Sequence, residues 1–184
     1  IPIEQIVQDA ITLTGHELRR NANLKLEPVD TNLKVSGNST QLTQVLVNLL
    51  LNATQAFRGS NRLSNTITLR VQSNARRIEI DITDNGKGIA DEMLEQVFSP
   101  YTTTKKQEGG LGLGLSLSRQ IITAHEGTLE VIETSSKGTT MRITLPRQLE
   151  VSPGRSGGDD VSRVLIIEDA LALGSTFGRL LGEK

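Results

Sequence analysis

Residues 81–89, DITDNGKGI, run from a strand into a glycine-containing loop. Isoleucines alternate with polar residues up to this point, which indicates a strand with one buried face. Asp84-Asn85-Gly86 is typical of a hairpin turn, but residues 89–97, IADEMLEQV, show no returning strand. Asp84 therefore stands at a strand end, where its carboxylate can accept a hydrogen bond from an exocyclic amine such as that of adenine. Gly86 and Gly88 leave room for a ligand to approach the backbone closely.

A hairpin and several other elements surround this strand. Residues 67–71 alternate in the same way, and Ser73–Arg76 separates them from 78–82, so we predict an antiparallel hairpin. Further strands are predicted at 24–26, 33–35, 128–133 and 139–145, helices at 1–20, 40–57, 91–96 and 114–124, and a polar, glycine-rich loop at 99–114. Together they predict an α+β fold, a two-layer α/β sandwich whose mixed, mostly antiparallel sheet carries its helices on one face.

The predicted helix over residues 41–56, QLTQVLVNLLLNATQA, carries two asparagines beside its apolar stripe. Asn48 and Asn52 are four residues apart and lie on the same side of the helix. Asparagine is a mediocre helix former, so this placement needs partners for the amides. Either neighbouring backbone groups satisfy them, or a hard cation such as Mg²⁺ or phosphate oxygens do so.

Glycines alternate with leucine in residues 109–118, GGLGLGLSLS, just before a predicted helix. Gly110, Gly112 and Gly114 fit a loop that presents backbone N–H groups to phosphates at a helix N-terminus. The Gly-Lys-Ser/Thr ending of a P-loop is absent. A flexible surface loop without a ligand is the alternative.

Composition excludes several classes of function. The net charge of -1 and the aromatic content of 2% argue against nucleic acid binding through bulk positive charge or base stacking. With no cysteine and two histidines, disulfides, cysteine nucleophiles and the usual zinc sites are excluded. No apolar run approaches the roughly 20 residues of a membrane span, and the first residues lack the basic start of a secretory signal. We therefore expect no nucleic acid partner and no direct membrane contact from this segment.

In their order and spacing, these motifs resemble the ATP-binding domain of the GHKL superfamily, most closely the catalytic domain of bacterial sensor histidine kinases. The resemblance covers about residues 1–146. Its five parts are the N box at 44–56, the first glycine box at 84–89, the F box at 97–105, the second glycine box at 110–116 and the closing strand at 138–146.

The resemblance implies a site for ATP and Mg²⁺. Asn52, with Asn48 assisting, would hold Mg²⁺ against the phosphates, and Lys105, with Lys106, would contact phosphate. The catalytic residues implied are thus Asn48, Asn52 and Lys105. A basic residue often follows the N box in such kinases, whereas Gln55 and Ala56 stand there in this chain and Arg58 comes later.

For the base, the resemblance implies that Asp84 reads the adenine amine, that Gly86 and Gly88 admit adenine, and that Thr139 supports it through a bound water. Residues 98–113 would form an ATP lid. The other nucleotide-binding residues implied are Ile89, Thr103, Thr104, Lys105, Gly110, Leu111, Gly112, Leu113, Gly114 and Leu115.

Position 48 bears on the reaction type. GHKL ATPases of the chaperone, gyrase and mismatch-repair kinds resemble this helix but carry Glu at that position, where it acts as general base on a water. An amide takes no proton, so the resemblance implies that the γ-phosphoryl group goes to another nucleophile, through positioning and charge neutralisation. A GHKL-type ATPase and a non-catalytic nucleotide-binding or docking module remain as alternatives.

In this family the phosphoryl acceptor is a histidine on a separate dimerisation domain, so we expect the acceptor outside this chain. His16, in HELRR, lacks the Thr-Pro of the acceptor motif and the space for a partner helix. It is expected to lie in the first helix of the ATP domain instead. His125, at a predicted helix end, is expected to cap that helix. The isolated segment is expected to be monomeric.

Residues 147–160 have the composition of a linker, and a short apolar stretch follows them. VSRVLIIEDA, residues 161–170, resembles the first strand of a response-regulator receiver domain, with Glu168 and Asp169 as its acidic pair. Residues 161–184 are then the start of an incomplete receiver-like domain of a hybrid kinase, or else an unrelated amphipathic tail. The implied partners are the dimerisation domain of the same parent kinase and a receiver domain, in the cytoplasm, with the parent either membrane-anchored or not.

Overall fold

Five strands form one mixed sheet, and the long helices pack against one of its faces. The computed structural model describes residues 1–57, 62–102 and 112–148. The helices are α1 (Ile3–Asn21), α2 (Ser39–Thr54), α3 (Asp91–Leu94) and α4 (Gly114–Ala124). The strands are β1 (Asn23–Leu26), β2 (Thr66–Ser73), β3 (Arg77–Asp84), β4 (Thr128–Ser135) and β5 (Gly138–Pro146). None of the helices within these described ranges has the length and apolarity needed to cross a bilayer.

The strand order is β1-β2-β3-β5-β4, so β3 and β5 lie in the middle of the sheet. β1 runs parallel to β2, and every other pair is antiparallel. Asp84, the last residue of β3, pairs with Thr139 near the start of β5. The register therefore brings the end of the sequence motif at 81–89 beside the closing strand.

The core lies between the sheet and α1, α2 and α4. The alternating residues of the strands and the apolar stripe of α2 were predicted to face the core. These side chains are almost fully buried, including Leu46, Leu50, Ile67, Leu69 and Ile80. Burial of each such aliphatic side chain contributes roughly 1.5–3 kcal/mol to folding. The confirmed pattern shows that α2, which carries Asn48 and Asn52, is held by its apolar stripe.

The sheet face turned away from the helices is polar, as expected for an antiparallel sheet with one solvated side. Arg142 on β5 lies opposite Asp81 on β3 and makes two hydrogen bonds to its carboxylate, at 2.7 and 2.8 Å. A second carboxylate, that of Glu79, lies 3.1 Å from the same guanidinium. These contacts raise the pKa of Arg142, chiefly through the hydrogen bonds to Asp81.

The predicted fold class is confirmed, with one strand as an exception. Residues 33–35 make only an isolated bridge, between Pro2 and Lys34. The N–H of Ile3 donates to the carbonyl of Leu33 at 2.9 Å, and α1 begins at that same residue, which ends the pairing. Two predicted helices are also shorter than expected, since α2 ends at Thr54 and α3 at Leu94. The predicted linker, the receiver-like segment with Glu168 and Asp169, and most of the 99–114 loop lie outside the described residues.

Candidate functional site

A cavity of about 1070 Å³ opens where α2, the end of β3, α3, the start of α4 and the β4–β5 hairpin meet. This volume reaches the upper end of the range common for small-molecule and cofactor sites. Its polar and charged lining residues include Asn48, Asn52, Asp84, Lys87, Asp91, Thr134 and Thr139.

Asp84 is the buried carboxylate of this cavity, with 8% of its surface exposed. The N–H of Gly86 donates to Oδ1 of Asp84 at 2.8 Å, which fixes the side chain and leaves Oδ2 for another donor. Burial raises the pKa of Asp84, while the backbone N–H groups of Gly86 and Thr139 partly counteract this. A buried carboxylate with a free oxygen suits a ligand that brings its own N–H donor.

Two threonines of the β4–β5 hairpin stand beside Asp84. Thr134 Oγ1 accepts a hydrogen bond from the N–H of Ile89 at 2.9 Å, and it lies 3.2 Å from Thr139 Oγ1. Thr139 is buried and Ile89 is half-buried in the cavity wall. The sequence indicated Thr139 and Ile89 but not Thr134, because its place on the cavity side depends on a bulge in β4.

Asn48 and Asn52 both line the cavity from α2, one turn apart. Nδ2 of Asn48 donates to Oγ of Ser118 on α4 at 3.0 Å, so its Oδ1 remains available as an acceptor. No hydrogen bond joins the amide of Asn52 to another residue within the described ranges. The sequence left open whether neighbouring backbone groups or a bound cation or phosphate satisfy these two amides. Within the described ranges, neither side-chain amide makes a hydrogen bond to backbone.

These two amides fit a hard divalent cation. Among the described residues no group of three or more His, Cys, Asp or Glu side chains is placed to hold a metal ion. The donor set at this point consists of two amide oxygens, and Mg²⁺ is commonly held by few protein oxygens together with water and substrate phosphates. Asn48 and Asn52 would therefore hold Mg²⁺ only together with a phosphorylated ligand.

The start of α4 faces the same cavity. Leu113, the N-cap residue, provides no side-chain cap for the first N–H groups, so these groups are available to an anion. Gly114 leaves no room for a Cβ atom because Asn48 lies against it, and Gly112 has a φ of 66° and packs against Tyr101 and Thr102. Both glycines therefore allow α4 to approach α2 and residues 101–102 closely.

Gly86 and Gly88 allow close packing against other parts of the protein. A Cβ atom at Gly86 would meet the backbone of Ala56 at 2.6 Å, and one at Gly88 would meet the carbonyl of Ser135. On the side where a Cβ atom would lie, the space at each glycine is thus occupied by protein. Gly88, with a φ of 72°, still lines the cavity through its backbone. Their effect is to hold the loop after β3 against α2 and the β4–β5 hairpin.

The structure brings most of the predicted site residues together. Those lining the cavity are Asn48, Asn52, Asp84, Gly88, Ile89, Gly112, Leu113, Gly114, Leu115 and Thr139. Thr103, Thr104, Lys105, Lys106, Gly110, Leu111 and Arg58 lie outside the described residues. Sequence reasoning missed Thr134 and Lys87, although the position of Lys87 within the first glycine box placed it next to Asp84.

Both histidines lie away from the cavity. His16 is exposed on α1, as expected. His125 follows the last residue of α4, and its Nδ1 lies 2.7 Å from the carbonyl of Ile121. The N–H of Asn38 donates to Nε2 of His125 at 3.0 Å. The predicted capping role of His125 is confirmed, and the ring also joins the end of α4 to the start of α2.

Known proteins resemble this chain over most of the described region. The family model for histidine kinase-, DNA gyrase B- and HSP90-like ATPases matches residues 37–149. Sensor histidine kinase ZraS of Escherichia coli strain K12 is 36% identical over 146 residues, which is 75% of this chain and 30% of ZraS. The C4-dicarboxylate transport sensor protein DctB of Rhizobium meliloti is also 36% identical over 146 residues, which is 79% of this chain and 23% of DctB. The chain thus spans less than a third of these relatives.

Solved structures show the same fold. The catalytic domain of histidine kinase ThkA superposes with a TM-score of 0.69 at 28% identity, covering 80% of this chain and 95% of that domain. ThkA in complex with the response regulator protein TrrA gives a TM-score of 0.66 at 26% identity, covering 80% of this chain and 41% of that one.

Proposed function

The chain belongs to the family of histidine kinase-, DNA gyrase B- and HSP90-like ATPases, and from this premise we propose that it binds ATP with Mg²⁺ and donates the γ-phosphoryl group to a histidine of a separate dimerisation domain. The observation that carries this proposal is the buried carboxylate of Asp84, held by Gly86 at one end of a cavity that Asn48 and Asn52 also line. Its curated relatives are sensor histidine kinases and related sensor proteins of two-component signalling.

The base, the metal ion and the phosphates each have a matching group in the cavity. The free oxygen of Asp84 accepts from the adenine amine, and Ile89 and Thr139 lie beside the base. The amides of Asn48 and Asn52 hold Mg²⁺, which neutralises phosphate charge when it is bound. The uncapped N–H groups at the start of α4 face the phosphates. Of the implied phosphate contacts, Thr103, Thr104, Lys105, Gly110 and Leu111 remain predictions.

Transfer is favoured over hydrolysis because position 48 is an amide. Nδ2 of Asn48 already donates to Ser118, and its Oδ1 is not basic enough to take a proton from water. Among the described residues that line the cavity, two carry carboxylates, Asp84 and Asp91. Asp84 is proposed to bind the adenine amine. A water is therefore poorly activated, and a nucleophile from another domain is the better acceptor.

The acceptor histidine is proposed to lie on a dimerisation domain, in the cytoplasm where ATP is present. ThkA has been solved in complex with a response regulator, and a receiver domain is the proposed onward partner of the parent protein. We also keep the assignment of residues 1–146 to the ATP-binding domain, 147–160 to a linker and 161–184 to the start of a receiver-like domain.

Calorimetric titration with a non-hydrolysable ATP analogue tests binding, with and without Mg²⁺. Asn52→Ala should remove most of the Mg²⁺ dependence, whereas Asn32→Ala, at an exposed position outside the cavity, should bind like the wild type. Radiolabelled ATP, mixed with the chain and a dimerisation domain, should then label that domain on histidine. Rapid phosphate release by the chain alone would favour the ATPase alternative, and binding without any transfer would favour the docking module.

A further inference from the structure

A chain of hydrogen-bonding groups leads from the loop after β3 to the cavity wall beside Asp84. The N–H of Ile89 donates to Thr134 Oγ1 at 2.9 Å, and Thr134 Oγ1 lies 3.2 Å from Thr139 Oγ1. Thr139 pairs with Asp84 across β5 and β3. This series of hydrogen-bonding groups therefore ends next to the Asp84 carboxylate, which is proposed to bind the adenine amine.

A bulge in β4 places Thr134 in this series of hydrogen-bonding groups. Val131 pairs with Met141 and Glu133 pairs with Thr140, so Ile132 is an extra residue on β4. In a regular strand, residue 133 would share the face of Val131. The extra residue instead turns Thr134 to that face, opposite Thr139, which is the re-aiming effect that bulges commonly have.

The bonding pattern favours Thr134 as the donor in this hydroxyl pair, in which either oxygen could donate. Each hydroxyl has one proton and two lone pairs, and Thr134 uses one lone pair on the N–H of Ile89. The acceptor that the described residues offer for the Thr134 proton is Thr139 Oγ1. In either arrangement one of the two hydroxyl protons has no acceptor among these residues. A hydroxyl that accepts a hydrogen bond is the better donor. The Thr139 proton is therefore directed away from Thr134.

We infer that Thr134 is a positioning residue that makes Thr139 a hydrogen-bond donor, so that Thr139 and Asp84 together select adenine over guanine. This inference rests on the proposed function. Adenine presents an amine donor beside a ring nitrogen that accepts, whereas guanine presents a carbonyl beside a ring N–H. The Thr139 proton reaches the ring nitrogen itself, or it binds a bridging water whose own two protons then serve the ring nitrogen and Asp84. Guanine would place its carbonyl against the carboxylate of Asp84.

The test compares two substitutions at the same position. Thr134→Val keeps the shape and removes the hydroxyl, whereas Thr134→Ser keeps the hydroxyl. Thr140→Val is the matched control, because Thr140 makes a similar hydroxyl pair with Thr83, at 3.0 Å, on the other face of the same strand. We expect Thr134→Val to bind a non-hydrolysable ATP analogue about 3- to 10-fold more weakly, and the other two variants to bind within about 2-fold of the wild type.

A second nucleotide separates positioning from general structural support. The matching ATP analogue with ring nitrogen N1 replaced by CH should bind the wild type about 3- to 10-fold more weakly than the parent analogue. In Thr134→Val the difference between the two nucleotides should shrink, because Thr139 keeps its hydroxyl but is no longer oriented toward N1. A merely structural role would weaken both nucleotides by the same factor, and that result would overturn the inference, as would unchanged binding in Thr134→Val.

A second substitution can still overturn the inference if Thr134→Val does not fold. Thr139→Val leaves the bond between Thr134 and Ile89 in place and should abolish the same discrimination at N1. If Thr139→Val still distinguishes the two nucleotides as the wild type does, the inference is wrong. If the wild type binds neither nucleotide, the proposed function itself fails.

Discussion

Replacing Asp84 with asparagine should stabilise the protein and weaken nucleotide binding at the same time. Burial raises the pKa of this carboxyl above its ordinary value near 4. Ionised Asp84 therefore destabilises the fold. This effect is absent below the unfolded-state pKa, grows as pH rises from the unfolded-state to the folded-state pKa, and is complete above the folded-state pKa. A neutral amide of the same shape removes the effect, so we expect the free energy of unfolding at neutral pH to increase.

Binding should change in the opposite direction. Oδ1 of the asparagine keeps the hydrogen bond from Gly86, which is 2.8 Å long in the wild type, so Nδ2 would face the ligand. An adenine amine would then meet a donor in place of a charged acceptor. Loss of a hydrogen bond to a charged group amounts to about 1.5–3 kcal/mol, which corresponds to a roughly 10- to 150-fold weaker affinity.

Urea denaturation from about pH 3 to about pH 8 measures the first effect, since the wild type should lose stability relative to Asp84→Asn as pH rises from the unfolded-state pKa to the folded-state pKa. Titration with a non-hydrolysable ATP analogue measures the second. Asp91→Asn is the matched control, because Asp91 lines the same cavity but is exposed, and it should change neither quantity much. A variant that is less stable than the wild type at every pH, or one that binds nucleotide equally well, would refute the reasoning.

Substitutions at Gly88, Leu50 and Asn38 test the packing of the fold and the capping of α2. Gly88→Ala should destabilise the fold by at least about 2 kcal/mol in urea denaturation, because the residue has a φ of 72° and the added methyl group would collide with backbone; a loss below about 0.5 kcal/mol would contradict this. Leu50→Ala, at a fully buried position, should lose about 2–5 kcal/mol, whereas Leu13→Ala, at a residue with 70% exposure, should lose less than about 0.5 kcal/mol. Equal losses would contradict the assigned core. Asn38→Ala should lose about 1 kcal/mol because it removes the cap of α2, and Asn38→Asp should retain most of that stability.

Local patterns in the sequence were sufficient to predict most of the fold. The apolar spacing of α2 and the alternation in β2 and β3 each report a buried face directly, and both were confirmed. The stretch at 33–35 has the same alternation, but its partner is the short segment before Ile3, where α1 begins. Sequence alone does not show where a neighbouring helix starts, so the bridge was predicted as a strand.

The site was less predictable where its geometry depends on long-range packing. Asp84 and Asn52 could be identified because a polar residue at a strand end or beside an apolar stripe needs a partner. The functions of Gly86 and Gly88 depend on Ala56 and on the β4–β5 hairpin, which lie far away in the chain. Their spacing indicated close approach correctly, but it could not show that protein backbone occupies the space on the side where a Cβ atom would lie.

The pairing of Arg142 with Asp81 has a consequence for alignment during folding. A slip of one residue between β3 and β5 would send Asp84 and Thr139 to opposite sides of the sheet, because side chains alternate along a strand. The same slip would separate the guanidinium from its carboxylate and turn one of these two charges toward the face that the helices cover. A contact that never touches the nucleotide therefore penalises misregistered forms in which the two residues beside the base could not meet.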